Sequence, residues 1–549
     1  MNKRIFFLPP LLILIFSSAD VRSMPQPPPA TNPLSASPDN PLSASDSLEP
    51  AKLQREIRPS QLPGANCAEK IASALKLLNG NPGLLDIDTA CGLGTATSPW
   101  PSVTLPPHVA MRFVEPGVYW ISGITMMTST NLFGLPVGMA ADTASLVSLK
   151  QGNGINAPSL ITVLGNFVSI ADLAIDGNFS AAQPNNPSAG PNIVINAAHR
   201  VEIHRVTTSN SRSHGLALMK SASPKIFMLM AEDNAGDGLF CSEGGDGFVS
   251  NSEFEANRKN GVELNTCPAW RIEHSDFGLN GSGHQGGDAF LAYALNASRP
   301  GEIIGGFQIL VGNQFGNNFN HDVRILGYDT TGRGGNTCTG SVMSGNSFIG
   351  SEYRSKPNLF SEIALVDGGL NVVTGNFFQP SLPAHIEKSA IAITETPENG
   401  SGRALGQNQV IPNVLRGPDG AWGTMAYLDL TSKRDSGLSA RNLLVGMSGP
   451  ILSGFSSGGT PPSLETNNGT AAFTINVGAG TMSSQGVIHL PTAAHGWNCY
   501  VTDITSPGAN NPKQSASSAD SATLTNYNLS GTPSPWSAGD TLTVSCFAR

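Results

Sequence analysis

Charge is scarce in this chain. Asp, Glu, Lys and Arg make up 13% of its 549 residues, and the formal net charge is -9. No basic stripe appears, which argues against a nucleic-acid partner. No CxxC pair occurs among the seven cysteines, which disfavours a zinc or redox centre. No apolar run is long enough to hold a stable membrane span; the longest candidate, Ile5 to Phe16, is short and broken by Pro9 and Pro10. Glycine and proline are plentiful instead, 61 and 40 residues, which fits a turn-rich all-β protein. A chain this long exceeds one ordinary core, so more than one module is expected.

The N-terminus reads as an export signal over residues 1–23. Lys3 and Arg4 precede the apolar run, and Val21-Arg22-Ser23 offers a cleavage region. The mature chain would begin near Met24, and an uncleaved anchor is the alternative. Residues 24–64, rich in Pro, Ser and Ala, read as a disordered spacer. In an exported protein some cysteines pair. Cys67 with Cys91 would staple an N-terminal cap, and Cys499 with Cys546 a C-terminal module. Cys241, Cys267 and Cys338 stay unassigned.

The strongest signal is a repeat. Gly215, Gly238 and Gly261 stand 23 residues apart, with Asn192 in the preceding slot. Each repeat opens on an alternating apolar pair: Ile193/Ile195, Leu216/Leu218, Leu239/Cys241, Val262/Leu264. A second apolar position recurs at Ile203, Ile226, Val249 and Ile272. Alternation indicates strands, and a fixed period of this size indicates stacked coils. A helix pair per repeat needs more residues. Later coils carry Gly312-Asn313-Gln314-Phe315, Gly345-Asn346-Ser347-Phe348 and Gly375-Asn376-Phe377-Phe378, with Asn251-Ser252-Glu253-Phe254 as a variant. Stacked Asn would pass amide hydrogen bonds from coil to coil, with Phe stacked inside.

The reading is all-β: a right-handed parallel β-helix solenoid with an N-terminal helical cap and a small C-terminal β-sandwich. Residues 65–125 hold the cap (AEKIASALKLL as a helix) and first strands, 126–430 the β-helix, 431–469 a linker and 470–549 the sandwich. The 23-residue coils, the turn Ile175 to Asn178 and the GNxF turns resemble the pectate-lyase-like superfamily of right-handed parallel β-helices. That resemblance implies an extracellular polysaccharide, commonly acidic, as ligand. The polygalacturonase motif set does not carry over. There is no paired Asp-Asp and no Arg-x-Lys, and Ser213-His214-Gly215 only echoes Gly-His-Gly.

Stacking turns sequence columns into surface columns. The residue before each first strand reads His214, Asp237, Asn260, Asp288, His321-Asp322 and Glu362. Rungs about 5 Å apart would make Asp288 and Asp322 neighbours, sharing a proton or a calcium ion. Asp237 and Asp288, two rungs apart, approach the ~6.5–9.5 Å of an inverting glycosidase pair. His284, in a glycine-rich insertion, joins His214 as a proton-transfer candidate. Glu253, Glu255 and Glu263 with Arg258, Lys259 and Arg271 form either a solvated wall or a lyase site, in which Arg271 or Lys259 is the base. Tyr293, Tyr328 and Tyr353 offer faces for sugar stacking.

The function that follows is an exported lyase or glycoside hydrolase acting on an extracellular, acidic glycan. Asp237, Asp288, Asp322, His214 and His284 are the catalytic candidates, and Tyr293, Arg271, Lys259 and Tyr328 the substrate contacts. Calcium is the one cofactor the acids allow. A C5 epimerase shares the groove. The rival reading is a non-catalytic, phage-tailspike-like surface adhesin, often a homotrimer, without stable membrane insertion.

Overall fold

The computed structural model describes residues 55–135, 146–155, 158–179, 190–282, 287–294, 305–329, 338–349, 360–366, 369–379, 389–394, 408–410, 413–415, 426–429, 443–444, 450–468, 472–490, 495–508 and 510–548. Its main body is a coil of parallel strands arranged on three walls. The first wall is a twelve-stranded sheet. Its register runs Ile193, Leu216, Leu239, Val262, Phe290, Val323, Ile363, Ile391, as the alternating pairs predict. The second and third walls share one continuous hydrogen-bonded sheet of 22 strands. Ile170, Ile203, Ile226, Val249, Ile272 and Leu310 line the second wall. Crossovers between parallel strands of one sheet run right-handed.

Between the second and third walls the chain turns at one residue of positive φ per coil. Arg205 (φ 50°), Met228 (53°), Asn251 (50°) and His274 (50°) hold that corner, followed by Gly312 (65°), Gly345 (65°) and Gly375 (62°). Glycine adopts this region freely, while a side chain there costs about 1–2 kcal/mol. In the coils of Met228, Asn251 and His274 the next residue enters a buried ladder, and Leu229 N–H donates to Ser252 Oγ. Ser252 N–H donates to Ser275 Oγ, and Ser275 N–H to Asn313 Oδ1. Asn313, Asn346 and Asn376 each donate N–H and Nδ2–H to the next Asn Oδ1 at 2.8–3.0 Å. A second ladder, Asn234, Asn257, Asn280 and Asn318, runs after the third wall. Inside, Phe254, Phe277, Phe315, Phe348 and Phe378 stack with centroids 4.7–5.0 Å apart.

The repeat glycines answer to the second ladder. A Cβ on Gly238 would lie 2.7 Å from Gly261 O and 2.8 Å from Asn257 Nδ2. Ala289, Asp322 and Glu362 follow Gly261 in that same column.

The cap is a helix, Cys67–Leu78. Asn66 accepts Glu69 N–H and Glu69 accepts Ala65 N–H, a reciprocal cap. Ile71, Ala74 and Leu78 close the end of the core. The Cys67–Cys91 and Cys499–Cys546 disulfides form, and Cys241–Cys267 ties neighbouring coils. Two expected boundaries move. Arg55–Ile57 pairs with Gly83–Leu85, so the first coil starts inside the stretch read as spacer. The C-terminal module starts inside the stretch read as linker, because Ile451–Ser453 and Ser463–Asn468 belong to its two four-stranded antiparallel sheets. Both segments are short and polar-flanked, so they lack a periodic signal. The module has its own core, including Phe455, Ile475, Trp497, Trp536 and Val544.

Gly238→Ala should lower stability by about 1–3 kcal/mol, the usual cost of overpacking a rigid site. Thermal unfolding followed by circular dichroism measures it, and an unchanged midpoint would contradict the close approach of coils at this column.

Candidate functional site

Hydrogen-bond register decides which candidates share a column. Gly215 N–H donates to Asp237 O, Gly238 N–H to Asn260 O, Gly261 N–H to Asp288 O, and Ala289 N–H to His321 O. His214, Asp237, Asn260, Asp288 and His321 therefore form one row at the edge of the first wall. Asp322 does not belong to it. Asp322 stands one residue closer to its strand, in the column of Gly261 and Ala289, and its Oδ1 accepts from Asn318 Nδ2 at 2.7 Å. The expected Asp288–Asp322 pair is thereby replaced. Asp288 Oδ1 accepts His321 N–H, and its Oδ2 lies 2.7 Å from Arg324 Nε in an ion pair bent away from the N–H direction. The place assigned to calcium is filled by a guanidinium. No group of three His, Cys, Asp or Glu among the described residues has a metal-holding arrangement.

The row is a relay of contacts. His214 Nδ1 sits 2.8 Å from Asp237 Oδ2 and its ring stacks on Phe240 with centroids 4.5 Å apart. Asp237 N–H also points at Nδ1, at 3.2 Å. That bond makes Nδ1 the acceptor in the neutral ring, while Asp237 Oδ2 is buried without a hydrogen bond and forms an ion pair with the ring only when the imidazole is protonated. Asp237 Oδ1 accepts both N–H and Nδ2–H of Asn260, at 2.8 and 2.9 Å. Asn260 Nδ2 also donates to Glu263 Oε2 at 2.8 Å, so one amide bridges two carboxyl groups. Tyr293 OH donates to Glu263 Oε1 at 2.6 Å. Burial, then the charge of Asp237, raises the Glu263 carboxyl above its ordinary range, while Tyr293, His214 and Lys259 pull it back. Burial and the bond to Glu263 raise the Tyr293 phenol as well.

Exposure separates the roles open to these groups. Asp237 and Asp288 are 0% exposed, whereas the His214 side chain is 18% exposed. Asp237 is closed to any ligand from solvent. Two further cations stand in the same turns: Arg212, two residues before His214, and Arg258, two before Asn260. Their guanidinium carbons lie 5.3 and 5.2 Å from the Phe179 ring. Among the described residues, Arg212, Arg258 and Lys259 form no ion pair. Arg212 Nη1 is buried without a hydrogen-bond partner.

Of the predicted residues, His214, Asp237, Lys259 and Tyr293 come together. Asp288 lies in the row but is occupied by Arg324. Arg271 is elsewhere, on the second wall, where its Nε donates to Glu273 Oε2 at 2.7 Å. His284, Tyr353 and the Tyr328 side chain lie outside the described residues. Glu263 was read with Glu253 and Glu255 as one charged face. The coil separates them, because Glu263 projects from the first wall and the other two from the third.

Glu253 and Glu255 enter a different cluster. Glu253 is in register with Asp276, and Glu232 with Glu255. Asn251, Ser252, Glu253, His274, Asp276 and Gln314 border a shallow cleft of about 420 Å³. Burial, the hydrogen bond to Glu255 and the charges of Glu255, Asp276 and Glu232 push Glu253 up to about 7. Burial raises Glu232 and Asp276 too. Carboxyl groups thus line this cleft, whereas the turn beside His214 carries cations.

No family model matches the chain, and no curated protein sequence matches it. Among solved structures it is similar to the Dettilon tailspike protein gp208, at 12% identity over 90% of this chain and 94% of that one, TM-score 0.46. It is similar to the A-module of the Azotobacter vinelandii mannuronan C-5 epimerase AlgE6, at 11% identity over 68% and 89%, TM-score 0.44. It is also similar to the Streptococcus pneumoniae surface protein and adhesin PfbA, at 9% identity over 68% and 99%, TM-score 0.44. These are likenesses of winding.

A carboxyl raised in the folded state stabilises below its unfolded pKa and loses that contribution as pH rises through the folded value. For Glu253 the window runs from 4.5 to about 7. Glu253→Gln should therefore melt above the wild type at about pH 8, with the difference vanishing at about pH 4. Equal melting temperatures at both pH values would remove the crowding of carboxyl groups assigned to this cleft.

Proposed function

We propose that the chain is an exported β-helix enzyme that cleaves an anionic extracellular polysaccharide by elimination across the first wall. The reading rests on one observation: a partly exposed imidazole against the buried Asp237 stands beside a carboxyl of raised proton affinity and cations that form no ion pair among the described residues. Elimination needs a base at the carbon beside a carboxylate, an acid at the leaving oxygen, and positive charge on the substrate carboxylate. In the tautomer that places the ring proton on Nδ1, toward Asp237 Oδ2, His214 Nε2 takes the carbon-bound proton and Asp237 stabilises the imidazolium. The electron pair moves to form the carbon–carbon double bond, and the glycosidic carbon–oxygen bond breaks. Glu263, held by Tyr293 and Asn260, returns a proton to the leaving oxygen. Arg212, Arg258 and Lys259 draw the carboxylate of the sugar. Two-carboxylate hydrolysis fits less well, because Asp237 is closed to solvent.

The three disulfides fit an oxidising, extracytoplasmic location. No helix among the described residues is long and apolar enough to cross a membrane.

Purified protein is incubated with polyuronates, with absorbance near ~235 nm reporting unsaturated products and reducing ends reporting hydrolysis. Unsaturated product is expected, and His214→Ala and Glu263→Gln should each lose about 100-fold or more in rate. Arg258→Ala should raise KM more than it lowers kcat. Reducing ends without unsaturation would replace elimination by hydrolysis. Silence with every glycan, alongside retained binding, would leave the adhesin.

A further inference from the structure

The C-terminal module carries a feature that the solenoid chemistry does not use. In its second sheet, Trp497–Asp503 pairs antiparallel with Thr541–Ala548. Alternation sends Cys499, Val544 and Cys546 into the core and Tyr500 and Phe547 outward. Tyr500 is 64% exposed and Phe547 57% exposed. Their centroids lie 6.2 Å apart, edge to face, and Asn498 Nδ2 reaches the Tyr500 hydroxyl at 3.4 Å. The Cys499–Cys546 bridge joins the two strands beneath them. Two large aromatic side chains are thus held in water on a cross-linked backbone, where neither contributes to the core.

The neighbours identify the chemistry. The outward residues on these strands are Asn498, Thr502, Thr541, Thr543 and Ser545. All are neutral hydrogen-bonding groups, and no charged side chain points outward from either strand among the described residues. The described residues of these strands thus offer no cation to a nucleic acid or an acidic polymer. Its apolar area, two rings among hydroxyls, is too interrupted for a protein interface with an apolar centre. Pyranose rings combine an apolar C–H face with a rim of hydroxyls. The exposed rings match the first, and the amide and hydroxyls match the second.

We propose that Tyr500, Phe547 and Asn498 form a binding platform for an uncharged glycan, separate from the anionic-glycan site on the first wall. The fixed strands mean that little side-chain or backbone order is lost on binding. The platform would hold the protein on a neutral polymer of the same extracellular matrix.

The test uses the full chain and insoluble cellulose, chitin, xylan and mannan in sedimentation binding assays. Wild type should be retained by at least one of them. Tyr500→Ala/Phe547→Ala should lose roughly tenfold or more in apparent affinity, while Tyr500→Trp keeps it. Binding of polyuronates should be the same in all three proteins, which separates this site from the solenoid site. Light scattering records molar mass in parallel. Retention by none of the four polymers, retention unaffected by the double variant, or a change of oligomeric state instead of glycan binding would each overturn the proposal.

Discussion

Everything in the solenoid depends on one constraint. At each corner the backbone leaves a sheet, and its amide groups must find partners one coil above or below. Asparagine solves this with a side chain that both donates and accepts, so one residue type can repeat without limit along the axis. An unmatched buried group of this kind costs roughly 1–3 kcal/mol, and a solenoid multiplies any local mismatch by the number of coils. The ladders therefore set the rung spacing, the glycines that let rungs approach, and the directions in which inserted residues can leave.

The candidate site grows out of the same constraint. Asp237 shows how. One of its oxygens takes the backbone and side-chain N–H groups of Asn260, which is ladder chemistry between coils. The other faces His214 Nδ1. A single buried carboxylate thus ties the stacking of coils to the position of an imidazole at the surface. Asn260 does likewise, joining Asp237 to Glu263 while its Oδ1 takes Asp288 N–H. Rigid elements of this kind place proton-transfer groups more accurately than loops do.

Much of this was visible in the residues. The 23-residue spacing, the alternating pairs and the GNxF turns carry the walls, the first-wall register and the Phe stack, because each is a strict positional demand. The corners were less legible. Arg205, Met228 and His274 occupy left-handed backbone that local sequence does not announce, whereas Gly312, Gly345 and Gly375 announce it. The row was readable as far as Asp288 and slipped at Asp322, since an insertion hides which of His321 and Asp322 continues it. Glu263 was misgrouped for a geometric reason: eight residues separate it from Glu255, but a corner lies between them. Its partner Tyr293, thirty residues away, is a neighbour only after an insertion is crossed.

The distribution of charge gives the last step. A solenoid presents nearly the same row at every rung, so a polymer meets many weak and similar contacts along it. Chemistry needs a rung that differs from its neighbours. The coil around Asn260 differs in this way: Phe240 gives way to Glu263, Tyr293 arrives from the next coil, and cations that form no ion pair among the described residues gather in the adjoining turns. The carboxyls of the third wall crowd together, and burial raises Glu253, Glu232 and Asp276 above the ordinary carboxylate range. The sides of the coil therefore differ in the charge they present, and the row around Asn260 lies on the side whose turns carry cations.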